Sequence, residues 1–240
     1  MISIARKEFH QFFSGLTGYI TIILFLLINA LYLFILKDSN IFDFGYATLI
    51  NFFELAPWIF IFLVPALAMR SFADEFKTGT FETLKTRPLS KWQIVLGKYF
   101  AIVIVILIAL LPTLLYVFTI HSLSAQGGID TGGITGSYIG LFLLAIVFAS
   151  ISIWCSSLTS NAVIAFLISA FVCIILYFGF NAISKLPALS GNADYYIDML
   201  GIDFHYQSIS RGVVDTRDVI YFLSIIFLFL FATQKNLNKK

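Results

Sequence analysis

Six stretches of this sequence are apolar for long enough to cross the hydrocarbon of a bilayer, and nothing else in the chain limits its possible folds so tightly. At roughly 1.5 Å per residue, about 20 apolar residues cover the roughly 30 Å of a bilayer core. The runs lie near Thr17–Leu36, Leu55–Met69, Trp92–Ile120, Tyr138–Ser157, Asn161–Asn181 and Val219–Thr233. Lipid offers backbone N–H and C=O groups no partners, so runs of this kind must be helices. Their cores hold no Asp, Glu, Lys or Arg; Lys98, near the start of the third, is counted with the cations of the preceding loop. Composition agrees, since 60% of the 240 residues are hydrophobic and only 12% charged. A soluble domain carries about 25% charged residues, and this surplus of apolar surface has only lipid to face. The expected fold is an all-α integral membrane protein with six transmembrane helices in one domain, residues 1–240.

Local signals refine the spans. Leu55–Met69 is short, and Phe44–Phe53 can extend it outward past Glu54. Pro57 and Pro65 in the second span and Pro112 in the third should bend their helices and free backbone carbonyls. The short connection Cys155–Ser160 makes spans four and five an antiparallel hairpin. Arg6 and Lys7 precede the first span as they would a signal peptide. The apolar run is longer than a signal core, and no small-x-small cleavage site follows, so a retained helix is expected.

Cation placement sets the orientation. One side of the alternation holds eleven: Arg6, Lys7, Arg70, Lys77, Lys85, Arg87, Lys91, Lys98, Lys235, Lys239 and Lys240. The other holds four: Lys37, Lys185, Arg211 and Arg217. Both termini and the Arg70–Lys98 segment are therefore expected in the cytoplasm. The net charge of +2 gives no reason to expect nucleic acid as a partner.

Three segments outside the spans carry pattern. In residues 2–16, Ile2, Ala5, Phe9, Phe12 and Leu16 recur at helical spacing, with Arg6, Lys7, His10, Gln11 and Ser14 opposite. That is an amphipathic helix for the headgroup layer, anchored by Arg6, Lys7, Phe9 and Phe12. Simple anchoring explains it as well as any signalling role.

Residues 70–98 alternate helix and break. Phe72 and Phe76 prolong span two beside Asp74, Glu75 and Lys77, and Thr78–Gly79 breaks that helix. Thr80 can cap a short helix, Phe81–Thr86, with Phe81, Leu84 and Lys85 close together. Arg87–Pro88 ends it, and Ser90-x-x-Gln93 is a capping box that restarts the chain as span three. A short helix offering apolar side chains between charges suits a partner's groove, although an interfacial loop would use the same residues. In the outer segment 182–218, apolar residues recur among Asp194, Asp198, Asp203, Asp215 and Asp218, as expected of helices resting on the outer membrane surface. Asp215 and Asp218 suit the start of span six, where the helix dipole favours carboxylates. Gly127–Gly136 reads as a flexible turn, and Gly132, Gly136 and Gly140 form two overlapping G-x-x-x-G matches, a weak packing signal.

No constellation of catalytic residues is visible, so no enzyme activity, metal or cofactor is expected. His10, His121 and His205 have no partner at metal-ligand spacing and read as interfacial histidines. Cys155 and Cys173 lie in apolar runs and suggest neither disulfide nor metal. The chain has no G-x-x-x-x-G-K-[ST] phosphate loop. Spans without ionisable residues argue against a proton- or sodium-driven carrier. Energy, if used, must come from outside the chain.

Six spans, an interfacial N-terminal helix and the segment after span two together resemble an ABC-2 type permease. The residues that carry the likeness are Glu75, Thr80, Glu82, Leu84, Pro88, Leu89, Ser90, Gly97 and Lys98. More narrowly, SISRGVVDTRDVIYFLS (Ser208–Ser224) resembles the gliding-motility-associated ABC permease subunit, the GldF type. The resemblance implies a subunit of the bacterial inner membrane that pairs with a second permease, more readily unlike than like, and docks a separate ATP-binding ATPase. It implies coupling through Glu75, Thr80, Phe81, Glu82, Leu84 and Lys85, with Phe81 and Leu84 giving apolar contact. The work could be transport or mechanical, as in gliding motility. A non-transporting scaffold for an envelope motility or assembly complex is the alternative, and it would function with a catalytically dead ATPase.

Overall fold

The computed structural model describes residues 1–36, 41, 48–86, 88–124, 129–186 and 192–239. In chain order the helices are α1 (Ile2–Ser14), α2 (Thr17–Phe34), α3 (Ile50–Ala68), α4 (Arg70–Thr78), α5 (Thr80–Lys85) and α6 (Lys91–Leu110). After a 3-10 turn at Leu111–Thr113 come α7 (Leu114–Leu123), α8 (Thr131–Leu158) and α9 (Ala162–Ile174). A π turn at Ile175–Gly179 leads into α10 (Phe180–Ser184), followed by α11 (Asn192–Asp198), α12 (Ile202–Ser210) and α13 (Thr216–Lys239). No strand occurs among the described residues.

Among the described residues, six helical stretches are long and apolar enough to cross a membrane: Thr17–Phe34, Ile50–Thr78, Lys91–Leu123, Thr131–Leu158, Ala162–Ser184 and Thr216–Asn238. All six expected spans are present, and this is an all-α, six-span membrane protein. Span two is longer than Leu55–Met69 because α3 begins at Ile50, past Glu54, and α4 continues it at the other end. Pro57 and Pro65 are accommodated within α3. Pro112 turns part of span three into 3-10 helix, where side chains replace ladder bonds. The Thr113 hydroxyl donates to the Leu110 carbonyl at 2.6 Å, and Tyr138 donates to the Thr113 carbonyl at 3.0 Å.

Span four, α8, is the axis of the bundle. In its membrane window 72% of residues are buried in protein, against 28% for spans one, five and six, so those three lie at the periphery of the bundle. Small residues let neighbours approach α8. A Cβ on Gly136 would lie 2.8 Å from Gly212 Cα, and one on Gly140 would lie 2.8 Å from Ile209 Cγ2. The G-x-x-x-G stripe thus seats the segment around α12.

Two expectations about peripheral helices change. The protein-facing stripe of α1 is Ile4, Glu8 and Phe12, packed against α6, while Ile2 and Leu16 are exposed. Gly97 makes this seat possible, since a Cβ there would lie 2.8 Å from Ile4 Cβ. The helix between spans five and six is likewise packed in: Ile202, Tyr206 and Ile209 of α12 are buried beside α8.

Candidate coupling site

Span two breaks at Met69, and Ser156 of α8 repairs the break. Its hydroxyl donates to the Met69 carbonyl at 2.9 Å and accepts from the N–H groups of Phe72 at 3.0 Å and Ala73 at 3.2 Å. A helix start leaves such N–H groups orphaned, so one serine stands in for a cap. α4 ends where Gly79 adopts φ 71°, a left-handed conformation that glycine takes without a Cβ penalty. The chain then turns directly into α5. Ser90 restarts it as expected: its hydroxyl accepts from Gln93 N at 3.3 Å, and the Gln93 side chain accepts from Ser90 N at 3.1 Å.

Beside this segment Lys98 of α6 is 1% exposed. Its ammonium donates to Glu8 Oε1 at 2.8 Å, Glu75 Oε1 at 2.8 Å and the Ser71 carbonyl at 2.7 Å, using all three protons. It also lies 5.1 Å from the centroid of the Phe72 ring. Two carboxylates around one ammonium leave an excess negative charge, and the exposed Lys7 offsets it at 3.8 Å from Glu8 and 3.7 Å from Glu75. Three elements therefore meet on one side chain: α1 through Glu8, α4 through Glu75 and Ser71, and span three through Lys98 itself. Glu75 Oε2 is buried with no hydrogen-bond partner among the described residues.

The expected coupling residues divide between this cluster and α5. Glu75 belongs to the cluster. Thr80 does not cap α5; Gly79 holds the cap position, and Thr80 lies within the helix, its hydroxyl 3.0 Å from that of Thr78. Phe81 is 4% exposed, its ring 5.0 Å from that of Phe76 and 6.3 Å from that of Phe72. Its apolar contact is thus made inside the chain, where it fastens α5 to α4. Leu84 is half-buried against the same core, and Glu82 is exposed with Thr83. The side chain of Lys85 lies outside the described residues, as do Lys37, Arg87 and Lys240 of the charge tally. Of the anchor residues, Arg6 and Lys7 are exposed, Phe9 is half-buried and Phe12 is buried.

Sequence reasoning missed Glu8, Ser156 and the burial of Lys98. The signal for Glu8 was an acid four residues from both Ile4 and Phe12, on the stripe those residues define. The expectation that the spans lack buried charge is also corrected by Lys98 in α6 and Asp218 in the first turn of α13. His205 is not an interfacial histidine. It is 4% exposed at the opposite end of the bundle, with Nδ1 2.6 Å from Asp218 Oδ1 and Nε2 2.9 Å from the Met199 carbonyl oxygen. Its ring stacks on Tyr221 at 3.8 Å, and the arrangement ties α12 to the start of α13. His10 and His121 are exposed. Among the described residues no group of three His, Cys, Asp or Glu side chains is placed to hold a metal.

A family model described as ABC-2 family transporter protein matches residues 2–197, which take in α1 and the whole Lys98 cluster. Among curated proteins none matches the chain.

Proposed function

This chain belongs to the ABC-2 transporter family, and on that premise we propose that it is the permease subunit of a complex in which a separate ATPase subunit supplies the work. The observation that carries the reading is the linkage from α5 inward. Phe81 fastens α5 to α4, and Lys98 joins α4 to α6 and α1. A push on α5 therefore reaches spans two and three together, as a rigid-body shift of packed helices. Gly79 supplies the bend at which α5 departs from span two.

Cation placement supports an orientation in which α5 and both termini face the cytoplasm and the membrane is the bacterial inner membrane. The exposed face of α5, with Glu82 and Thr83, is the surface an ATPase would grip. A second permease subunit, unlike this one, completes the complex. The likeness of Ser208–Ser224 to a gliding-motility permease supports motility as its setting, with transport or mechanical work as the output. The test is co-purification from native membranes. Glu82→Arg with Thr83→Arg should abolish recovery of a phosphate-loop ATPase while the permease still inserts. Undiminished recovery would refute docking through α5.

A further inference from the structure

At the end of the bundle opposite α5, a cavity of about 710 Å³ opens between α3, the start of α8, the π turn after α9, and α12. That volume is typical of sites for small organic molecules. Its charge is one-sided: Glu54, Asp130 and Asp203 line it, with Arg211 the one cation among its described lining residues. Its walls are aromatic. Trp58 and Phe178 lie with ring centroids 4.3 Å apart, and Tyr177 lines the same space. Tyr177 and Phe178 both sit on the π turn, a distortion frequent at functional sites.

Asp203 is 9% exposed, and Gln207 fixes its carboxylate by donating to Oδ2 at 2.8 Å. Tyr177 lines the same cavity as this carboxylate. On the outer face of α3, Ile50 is 58% exposed and Trp58 52% exposed, with exposed Glu54 between them, so apolar surface flanks this carboxylate at the cavity mouth. A wholly polar ligand would waste that surface, and an anion would meet three carboxylates. A cation would find both carboxylates, Asp203 buried and Glu54 and Asp130 exposed at the mouth, and aromatic faces, the two groups that bind ammonium.

We propose that this cavity binds an amphiphile with a cationic headgroup, the ammonium seated among Asp203, Glu54 and the aromatic walls and the apolar tail lying along Trp58 and Ile50. Nothing in the coupling reading requires such a site.

The chain has three tryptophans, and Trp92→Phe with Trp154→Phe leaves Trp58 as the sole tryptophan, excited selectively over tyrosine. With that full-length chain in nanodiscs, quenching of Trp58 is measured against a bromoalkyl trimethylammonium and against a bromoalkyl sulfate of equal chain length. Saturable quenching by the cation is expected, with half-saturation at least about tenfold lower than for the sulfate. Asp203→Asn with Glu54→Gln should weaken the cation's effect by about tenfold and should not weaken the sulfate's, which loses two repelling charges. Equal quenching by both amphiphiles, or no change in the carboxamide variant, would overturn the proposal. Should the tryptophan replacements lose the fold, native mass spectrometry of the unaltered chain decides the same point. Retention of the cation in preference to the sulfate supports the site, and equal retention refutes it.

Discussion

Lys98 on span three and Glu75 on the extension of span two meet at 2.8 Å, the ammonium 1% exposed. A buried pair of this kind contributes little net stability over an apolar replacement, but losing one partner strands the other's charge. Lys98→Met should therefore destabilise the protein by about 3–5 kcal/mol, read as a lower unfolding midpoint in detergent. Adding Glu8→Gln and Glu75→Gln should recover most of the loss. A triple variant no more stable than Lys98→Met would show that packing, and not charge, accounts for the cost.

Ser156→Ala removes the acceptor that serves Phe72 N and Ala73 N and leaves both groups buried. A loss of about 1–3 kcal/mol is expected. Hydrogen exchange should accelerate at those two amides while amides in the middle of α8 stay protected. Uniform acceleration along α8 would mean that Ser156 acts through the bundle as a whole.

Gly79 has φ 71°, and among the described residues nothing lies within 4 Å of where a Cβ would be, so a side chain there clashes with none of them. The penalty for Gly79→Ala is conformational, about 1–2 kcal/mol, and Gly79→Asn should cost less because asparagine tolerates left-handed backbone. In the assembled complex both should change ATP-driven work more than ATP hydrolysis. Loss of hydrolysis in equal proportion would place the effect in the ATPase.

Burial raises the pKa of Asp203 above the ordinary 3.8 and outweighs the opposing effects of Gln207 and Tyr177. Asp198 adds to the rise and Lys185 opposes it. Glu54, Asp130, Arg211 and Tyr206 face the same cavity. A raised pKa means that Asp203 takes up its proton at a higher pH than a free carboxyl does. Affinity for a cationic amphiphile should accordingly fall as pH drops through that raised value, and Asp203→Asn should remove this step from the profile. A step of unchanged position in Asp203→Asn would assign the titration to another group.

Much of the architecture is legible in the sequence because lipid demands long uncharged helices, and because Gly79, Ser90 and Gln93 act within a turn of where they stand. The coupling cluster is not legible. Glu8 and Lys98 are 90 positions apart, so no local period links them. Nor does hydrophobicity tell which side of a membrane helix meets protein, since lipid and core are both apolar. That is why Phe81 reads as a free docking side chain and is found buried, and why the inward stripe of α1 is rotated from the one its apolar residues suggest. His205 and Asp218, 13 positions apart on different helices, pair only once α12 has packed against α13.

The central claim is that work applied at α5 crosses the bundle through Lys98. Spin labels at Ser122→Cys and Arg217→Cys, exposed at the far ends of spans three and six, report on the opposite side of the membrane. The native Cys155 and Cys173 are buried. With the ATPase bound, ATP with vanadate should change the distance between the labels in the otherwise unaltered chain. It should leave that distance unchanged in the Lys98→Met, Glu8→Gln, Glu75→Gln variant, although ATP is still hydrolysed. The same change of distance in both proteins would contradict the claim.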